Sequence, residues 1–358
     1  MEFAVVEYSS KSGTVWQHTD AKPNYLCDPN TEMDTTSFGC YVSALKGKHI
    51  PLTEVVGANK IINRVIRKLS GSWPDNYSLD DFDGIDVLMV VYEVANGSSL
   101  IQFMKRIRKV YPKVKILGVP TQPYGLLKPQ WDANPDTLKE LQEFISNCDV
   151  FLTIVADLKD TWQKLSSVPV HYLAQPYPLE HASLQFQPLE KKQDIIYVPG
   201  VTDRPIITRG LEVARELQKR LPQYKIHVTK NEDADFSALG EAKYEEIDFL
   251  PWQEHLKYLS GVKLVINTDY TKTRGRVQMD CAAVGTPSVG ADSDSQLDLY
   301  PEFAATSEST VSEIVELAYS LLSNSDQYIK TTEFATSKLP FYNYVASASR
   351  LADLVKSV

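Results

Sequence analysis

Between Thr273 and Gly290 the chain reads TRGRVQMDCAAVGTPSVG. Two arginines flank Gly275, and the apolar periodicity of a short helix begins at once after them. A glycine there lets backbone approach a ligand closely. The first N–H groups of a helix point outward and favour an anion. Arg276 at the helix start would add a planar cationic donor, with Thr273 and Arg274 completing the turn. Asp280, about one turn further on, could accept hydrogen bonds from hydroxyls such as those of a ribose. Gly285, Thr286 and Pro287 supply a stop, since Gly takes the left-handed cap and Pro cannot continue a helix. An ordinary packed helix with a good C-terminal stop carries the same pattern.

A second segment shares this chemistry. VPGVTDRPIITRGLEVA, residues 198–214, is a strand ending at Gly200, a polar turn with Arg204, and Arg209–Gly210 beside a helix start. Two guanidiniums near a helix N-terminus suit a diphosphate, which takes planar donors and a positive dipole end. A solvated strand–helix loop is the plain alternative.

Something must hold these two turns side by side. The chain has 358 residues, enough for two cores. Strand and helix patterns alternate along it. FAVVEY, IDVLMVVY, VKILGVP and DVFLTIVA read as strands, with helices in SSLIQFMKRIRKVY, PDTLKELQEFISN and KDTWQKLSS. Residues 17–47 lack a period and read as loop. After a linker near 179–193 the alternation restarts with DIIYVPG and continues through YKIHVTK, WQEHLKYLSG and VKLVINT. Repeated units of this kind imply α/β domains with parallel sheets covered by helices on both faces. The division expected is residues 1–188, residues 189–340, and a last helix over 341–358 that could pack back on the first domain.

Composition narrows the classes. Apolar residues make up 43% and charged residues 23%, as in a globular protein. No apolar run approaches the ~18 residues of a membrane span. The start, MEFAVVEYSS, has neither the basic region nor the apolar core of a signal peptide, which points to a cytoplasmic chain. The four cysteines are scattered without a C-x-x-C pair, and no metal-ligand spacing or Asp-x-Asp appears. The net charge of −9 is uneven: basic residues gather near 59–69 and 104–115. Those are either solvated helix faces or a surface for an anionic acceptor, membrane or nucleic acid.

The two turns, about 70 residues apart, resemble the C-terminal domain of GT-B glycosyltransferases, in particular the retaining family-4-like group. TRG matches that group's basic residue–Gly pair, MDCAAVGTP its acidic-headed helix and Gly-Thr-Pro turn, and DFLPWQEHLKYLSGVKLVIN the segment before its donor site. The resemblance covers residues 194–325 and, before 190, only the order of elements. It implies a GT-B fold, two tandem Rossmann-like domains facing across a cleft, with the nucleotide sugar in the second. It also implies transfer of a sugar from a nucleoside diphosphate sugar to an acceptor hydroxyl, with retention and without metal. The sugar nucleotide is then a co-substrate and no cofactor is needed.

On this resemblance Phe249, Leu250 and Pro251 border the nucleobase. Arg204 and Arg209, with backbone near Gly200, Gly275 and Arg276, hold the diphosphate, and Asp280 meets the ribose. Gly13 in SSKSGT is the match to the glycine loop after the first strand. Gln122 stands about where the group often has a histidine near the reacting carbon, and His18 is the histidine most suited to a site. His227 and His255 read as strand and helix-surface residues. One departure is plain. The group has Glu, seven residues, Glu; the second is Asp280, and the first falls on Lys272. That lysine could contact the diphosphate or an acidic sugar, could be a solvated loop residue, or could mark lost chemistry, and the acidic role could pass to Asp269. The alternatives are a transferase acting on nucleic-acid bases, as phage enzymes do, and a non-catalytic nucleotide-sugar binder.

Overall fold

The computed structural model describes residues 1–8, 16–17, 38–52, 78–180, 185–200, 207–230 and 235–357. The chain divides into two compact units, Met1–Pro178 with Asn343–Val358, and Leu179–Tyr342.

In the first unit, β1 (Phe3–Tyr8), β2 (Trp16–Gln17), α1 (Gly39–Leu45), β3 (Lys48–Leu52) and β4 (Val87–Tyr92) are followed by α2 (Gly97–Val110) and β5 (Lys115–Pro120). Then come α3 (Tyr124–Ala133), α4 (Pro135–Ser146), β6 (Val150–Thr153), α5 (Lys159–Leu165) and β7 (Val170–Tyr172). The seven strands lie in the order β2-β3-β1-β4-β5-β6-β7, parallel except for β2. Every residue of β4, VLMVVY, is buried, as a strand covered on both faces must be.

Residues 39–45, read as loop, form α1. The helix is short and lacks a side-chain N-cap, so packing rather than propensity makes it. Its Tyr41 hydroxyl donates to the Leu173 carbonyl at 3.3 Å, and residues 39–43 are buried. The helix ends at Lys46 in the left-handed region, φ 54°. Helix α12 (Tyr344–Lys356) lies against α1, and Asn343 bridges Tyr177.

The second unit holds β8 (Gln193–Val198), α6 (Ile207–Arg220), β9 (Lys225–Thr229), β10 (Tyr244–Ile247), α7 (Trp252–Gly261), β11 (Val262–Ile266), α8 (Arg276–Val284) and β12 (Ser288–Val289). It ends with α9 (Asp294–Leu299), α10 (Val311–Ser323) and α11 (Ser325–Lys338). All five strands are parallel, in the order β10-β9-β8-β11-β12. Residues 185–192, part of the linker read from sequence, pack onto this unit: the Gln187 amide donates to the Val284 carbonyl at 3.1 Å. His227 lies on a strand, as expected. It is buried on β9, with Nδ1 2.9 Å from the Tyr258 hydroxyl. His255 edges onto the Tyr197 ring beside it. Burial lowers the pKa of both imidazoles.

Candidate donor site

From β8 the chain winds outward through β9 to β10, then returns and places β11 on the other side of β8. Strand order therefore reverses between β8 and β11. In open parallel sheets the crevice beyond the strand C-termini at such a reversal is where ligands bind. The two anion-suited turns follow these two strands.

The loop after β11 is built by side chains that replace regular hydrogen bonding. Asn267 Oδ1 accepts from the Asp269 amide at 3.0 Å, and Asp269 Oδ1 accepts from the Thr271 amide at 2.9 Å. These are successive Asx turns. Lys272 then sits in the left-handed region, φ 60°, a cost that surrounding structure must offset. The offset comes from α9. The Asp294 amide donates to the Thr273 carbonyl at 2.9 Å, the Ser295 amide to the Arg274 carbonyl at 3.0 Å, and Ser295 Oγ to the same carbonyl at 2.8 Å.

This clasp settles where the amides point. In a planar trans peptide the N–H lies opposite the carbonyl. With the carbonyls of Thr273 and Arg274 turned toward α9, the N–H groups of Arg274 and Gly275 both face away from it, just ahead of the α8 N-terminus. Gly275 is the α8 N-cap at φ 85°, with no capping side chain. A Cβ there would come within 2.5 Å of Ser293 Oγ, so only glycine fits. The far end of α8 is closed by Gly285 in the left-handed region, whose N–H returns to the Cys281 carbonyl.

The other predicted residues take these places. Arg209 lies in the first turn of α6; its Nη1 donates to the Ser307 and Ser309 carbonyls at 2.8 and 3.2 Å, and its guanidinium stands 5.3 Å from the centre of the Tyr270 ring. Tyr270 belongs to the β11 loop, so the side chain joins the two turns. The Gly200 amide donates to Thr229 Oγ1 at 3.3 Å. Phe249 is 77% exposed on the loop before α7, next to half-buried Leu250 and exposed Pro251, the α7 N-cap. Asp280 is buried, and its Oδ1 accepts from the Trp252 indole at 3.0 Å. That ties α8 to the start of α7 and engages one of the two oxygens assigned to a ribose. Lys272 Nζ lies 3.5 Å from Asp292 Oδ2.

Gln122 follows β5 in the first unit, half-buried, with its Oε1 buried and lacking a hydrogen-bond partner among the described residues. Gly13, His18 and Arg204 lie outside the described residues, as does the basic stretch 59–69. On the other basic helix, α2, Lys105 pairs with Glu143 at 2.8 Å and Arg108 with Asp149 at 2.9 Å, so two of its cations are matched by α4 and its neighbour.

One residue of this unit escapes sequence reading altogether. Lys192, 8% exposed, donates from Nζ to the Ser260 carbonyl at 2.9 Å, the Val284 carbonyl at 3.3 Å and Thr286 Oγ1 at 2.8 Å. It thus binds the C-terminal carbonyls of both α7 and α8, where a cation suits the helix dipoles. Burial pushes its pKa down to about 8. A lone lysine in a linker offers no sequence signal for this.

No protein-family model and no curated protein matches the sequence. Solved structures do. A sucrose-phosphate synthase from Thermosynechococcus elongatus superposes with a TM-score of 0.64 at 12% identity, over 99% of this chain and 98% of that one. The apo structure of OtsA gives 0.65 at 10% identity over 100% of both chains. An Escherichia coli structure titled for trehalose-6-phosphate and bound to UDP-2-fluoro glucose gives 0.63 at 9%, over 99% and 92%. The chain has the GT-B fold. The α/β reading holds for the described residues, with two sheets that are parallel apart from β2. No described helix is long and apolar enough to cross a membrane.

Proposed function

We propose that this GT-B chain is a glycosyltransferase that moves a sugar from a nucleoside diphosphate sugar to an acceptor hydroxyl. The observation that carries the reading is the clasped turn at residues 272–276. It turns two adjacent amides away from α9, just before the α8 N-terminus at the reversal of strand order. Preorganised donors of this kind stabilise charge that grows on a leaving diphosphate, and they cost no reorganisation when the bond breaks. Arg276 and the guanidinium of Arg209 add positive charge beside them, and Arg204 is assigned the same task. Phe249 offers an exposed ring for a nucleobase, and Asp280 is assigned to the ribose. Two of the neighbouring structures add support, since one is titled with UDP-2-fluoro glucose and another, a Staphylococcus aureus TarM variant, with UDP.

In this reading the departing diphosphate stays on the face from which the acceptor attacks and takes its proton. The configuration is retained, and no side chain need be a strong base. Gln122 contributes a hydrogen bond on the acceptor side. No metal is needed, because the amides and arginines carry the charge stabilisation. Calorimetry with UDP, GDP and ADP tests the reading. One of them should bind at a single site and compete with its sugar conjugates. An absence of saturable binding for all three would contradict it.

A further inference from the structure

The loops after β11 and β12 bring two opposite charges together in a way the amide turn does not require. Asp292 follows β12, and its side chain is 8% exposed. Its Oδ2 lies 3.5 Å from Lys272 Nζ, while Oδ1 is buried and has no hydrogen-bond partner among the described residues. Lys272 is 26% exposed, three residues before the N-cap of α8. Its backbone is in the left-handed region and its own amide is also directed at the Asp292 carboxylate. The surrounding ionisable groups are Asp269 on the same loop, Tyr270, and Arg209 reaching in from α6. Arg209 is drawn toward the Ser307 and Ser309 carbonyls. Lys272 is therefore the cation that balances Asp292. Burial still raises the Asp292 pKa despite the lysine, and Asp269 adds to the effect.

A carboxylate buried this deeply with one oxygen unsatisfied is under-compensated. Any second anion on the Lys272 ammonium would stand close to Asp292 and compete with it for that cation. Like charges at that range disfavour each other. A hydroxyl would not: it can accept a hydrogen bond from Nζ and leave the ion pair in place. We infer that the Lys272–Asp292 pair makes the donor site select an uncharged glycosyl group, with Lys272 as the contact and Asp292 as the residue that positions and neutralises it. This rests on the donor-site reading above. It departs from the expectation that the lysine favours an acidic sugar.

The test uses the nucleoside diphosphate that binds best, free and as its glucose and glucuronate conjugates, with wild type, Asp292→Asn and Lys272→Met. Wild type should bind the glucose conjugate at least tenfold more tightly than the glucuronate. Asp292→Asn removes the competing charge while keeping the Lys272 ammonium. The ratio should then shift by tenfold or more toward glucuronate, while affinity for the free diphosphate stays within about twofold. A merely structural aspartate would weaken both conjugates alike and leave the ratio unchanged, and that result overturns the inference. So does a wild-type preference for glucuronate. Lys272→Met should keep glucuronate excluded, because Asp292 is then unbalanced; improved glucuronate binding in this variant also overturns the inference. If no nucleoside diphosphate binds wild type, the donor-site reading itself fails.

Discussion

The two sheets end differently. In the second unit the groups beyond the strand ends are held before any ligand arrives: Asx turns fix residues 267–271, α9 clasps 273 and 274, and Arg209 bridges the loops. In the first unit several buried polar atoms near the strand ends have no hydrogen-bond partner among the described residues, including the Tyr92 hydroxyl, Gln122 Oε1 and Gln175 Oε1. The second unit has such atoms as well, among them the Tyr270 hydroxyl, the Gln278 amide and Asp292 Oδ1. The difference therefore lies in the backbone: the loop after β11 is clasped by α9 through main-chain hydrogen bonds, so its shape does not wait for a ligand. The lesson is that main-chain bracing, not the matching of every side chain, preorganises the second unit's loop.

Two glycines sharpen this contrast most. Gly275 at φ 85° and Gly84 of the first unit at φ 73° both need the left-handed region. A Cβ on Gly275 meets Ser293 Oγ and Ser295, whereas one on Gly84 meets nothing within 4 Å. Gly84→Ala should cost only the conformational strain, about 1–2 kcal/mol. Gly275→Ala adds a clash with the Ser293 and Ser295 side chains of the clasping α9 segment and should cost about 3 kcal/mol or more in stability, or an equivalent loss of nucleotide affinity if the loop yields. Equal effects in denaturant midpoints and in binding would remove the contrast.

Lys192 comes next. Its folded pKa is lowered from 10.5 to about 8. Between those values the unfolded chain holds the proton and the folded chain does not, so stability rises with pH across that window. The rise attributable to this group is up to about 3 kcal/mol. Wild type should gain stability from pH 8 to 10.5 relative to Lys192→Met. Parallel pH profiles for the two proteins would mean that the ammonium is not desolvated as described.

Smaller effects separate the units. Arg209→Ala should weaken diphosphate binding by about 1.5–3 kcal/mol, the range for a hydrogen bond to a charged group. Unchanged affinity by calorimetry would restrict Arg209 to bracing Ser307 and Ser309. Gln122→Leu should leave nucleotide affinity alone and change stability by less than about 1 kcal/mol, since it removes an already unsatisfied oxygen. Transfer should nevertheless fall. Weakened nucleotide binding in that variant would put the glutamine on the donor side instead.

These particulars mark how far the sequence could be read. The alternation of strands and helices is legible because a buried parallel strand such as VLMVVY and an amphipathic helix such as α2 each carry their own period. The glycine turn at 275 and the stop at 285 are legible because φ > 0 demands a residue type. The helix at 39–45 is not, since its stability comes from contacts with Leu173 and Ala174 more than 130 residues away. The clasp is equally silent: amides at 294 and 295 meet carbonyls at 273 and 274 through backbone alone, and backbone has no letter. Polar α9 and α11 carry weak patterns. Lys192 and Asp292 look like surface residues by type, and only tertiary packing turns them inward.

The central claim is that the nucleotide binds at the clasped turn of the second unit. Backbone hydrogen exchange of the full-length protein, with and without saturating nucleoside diphosphate, tests it most directly. The account predicts slowed exchange at residues 272–280 and 249–252, with little change in residues 1–178. Protection confined to residues 1–178, with the 272–280 amides unaffected, would contradict it.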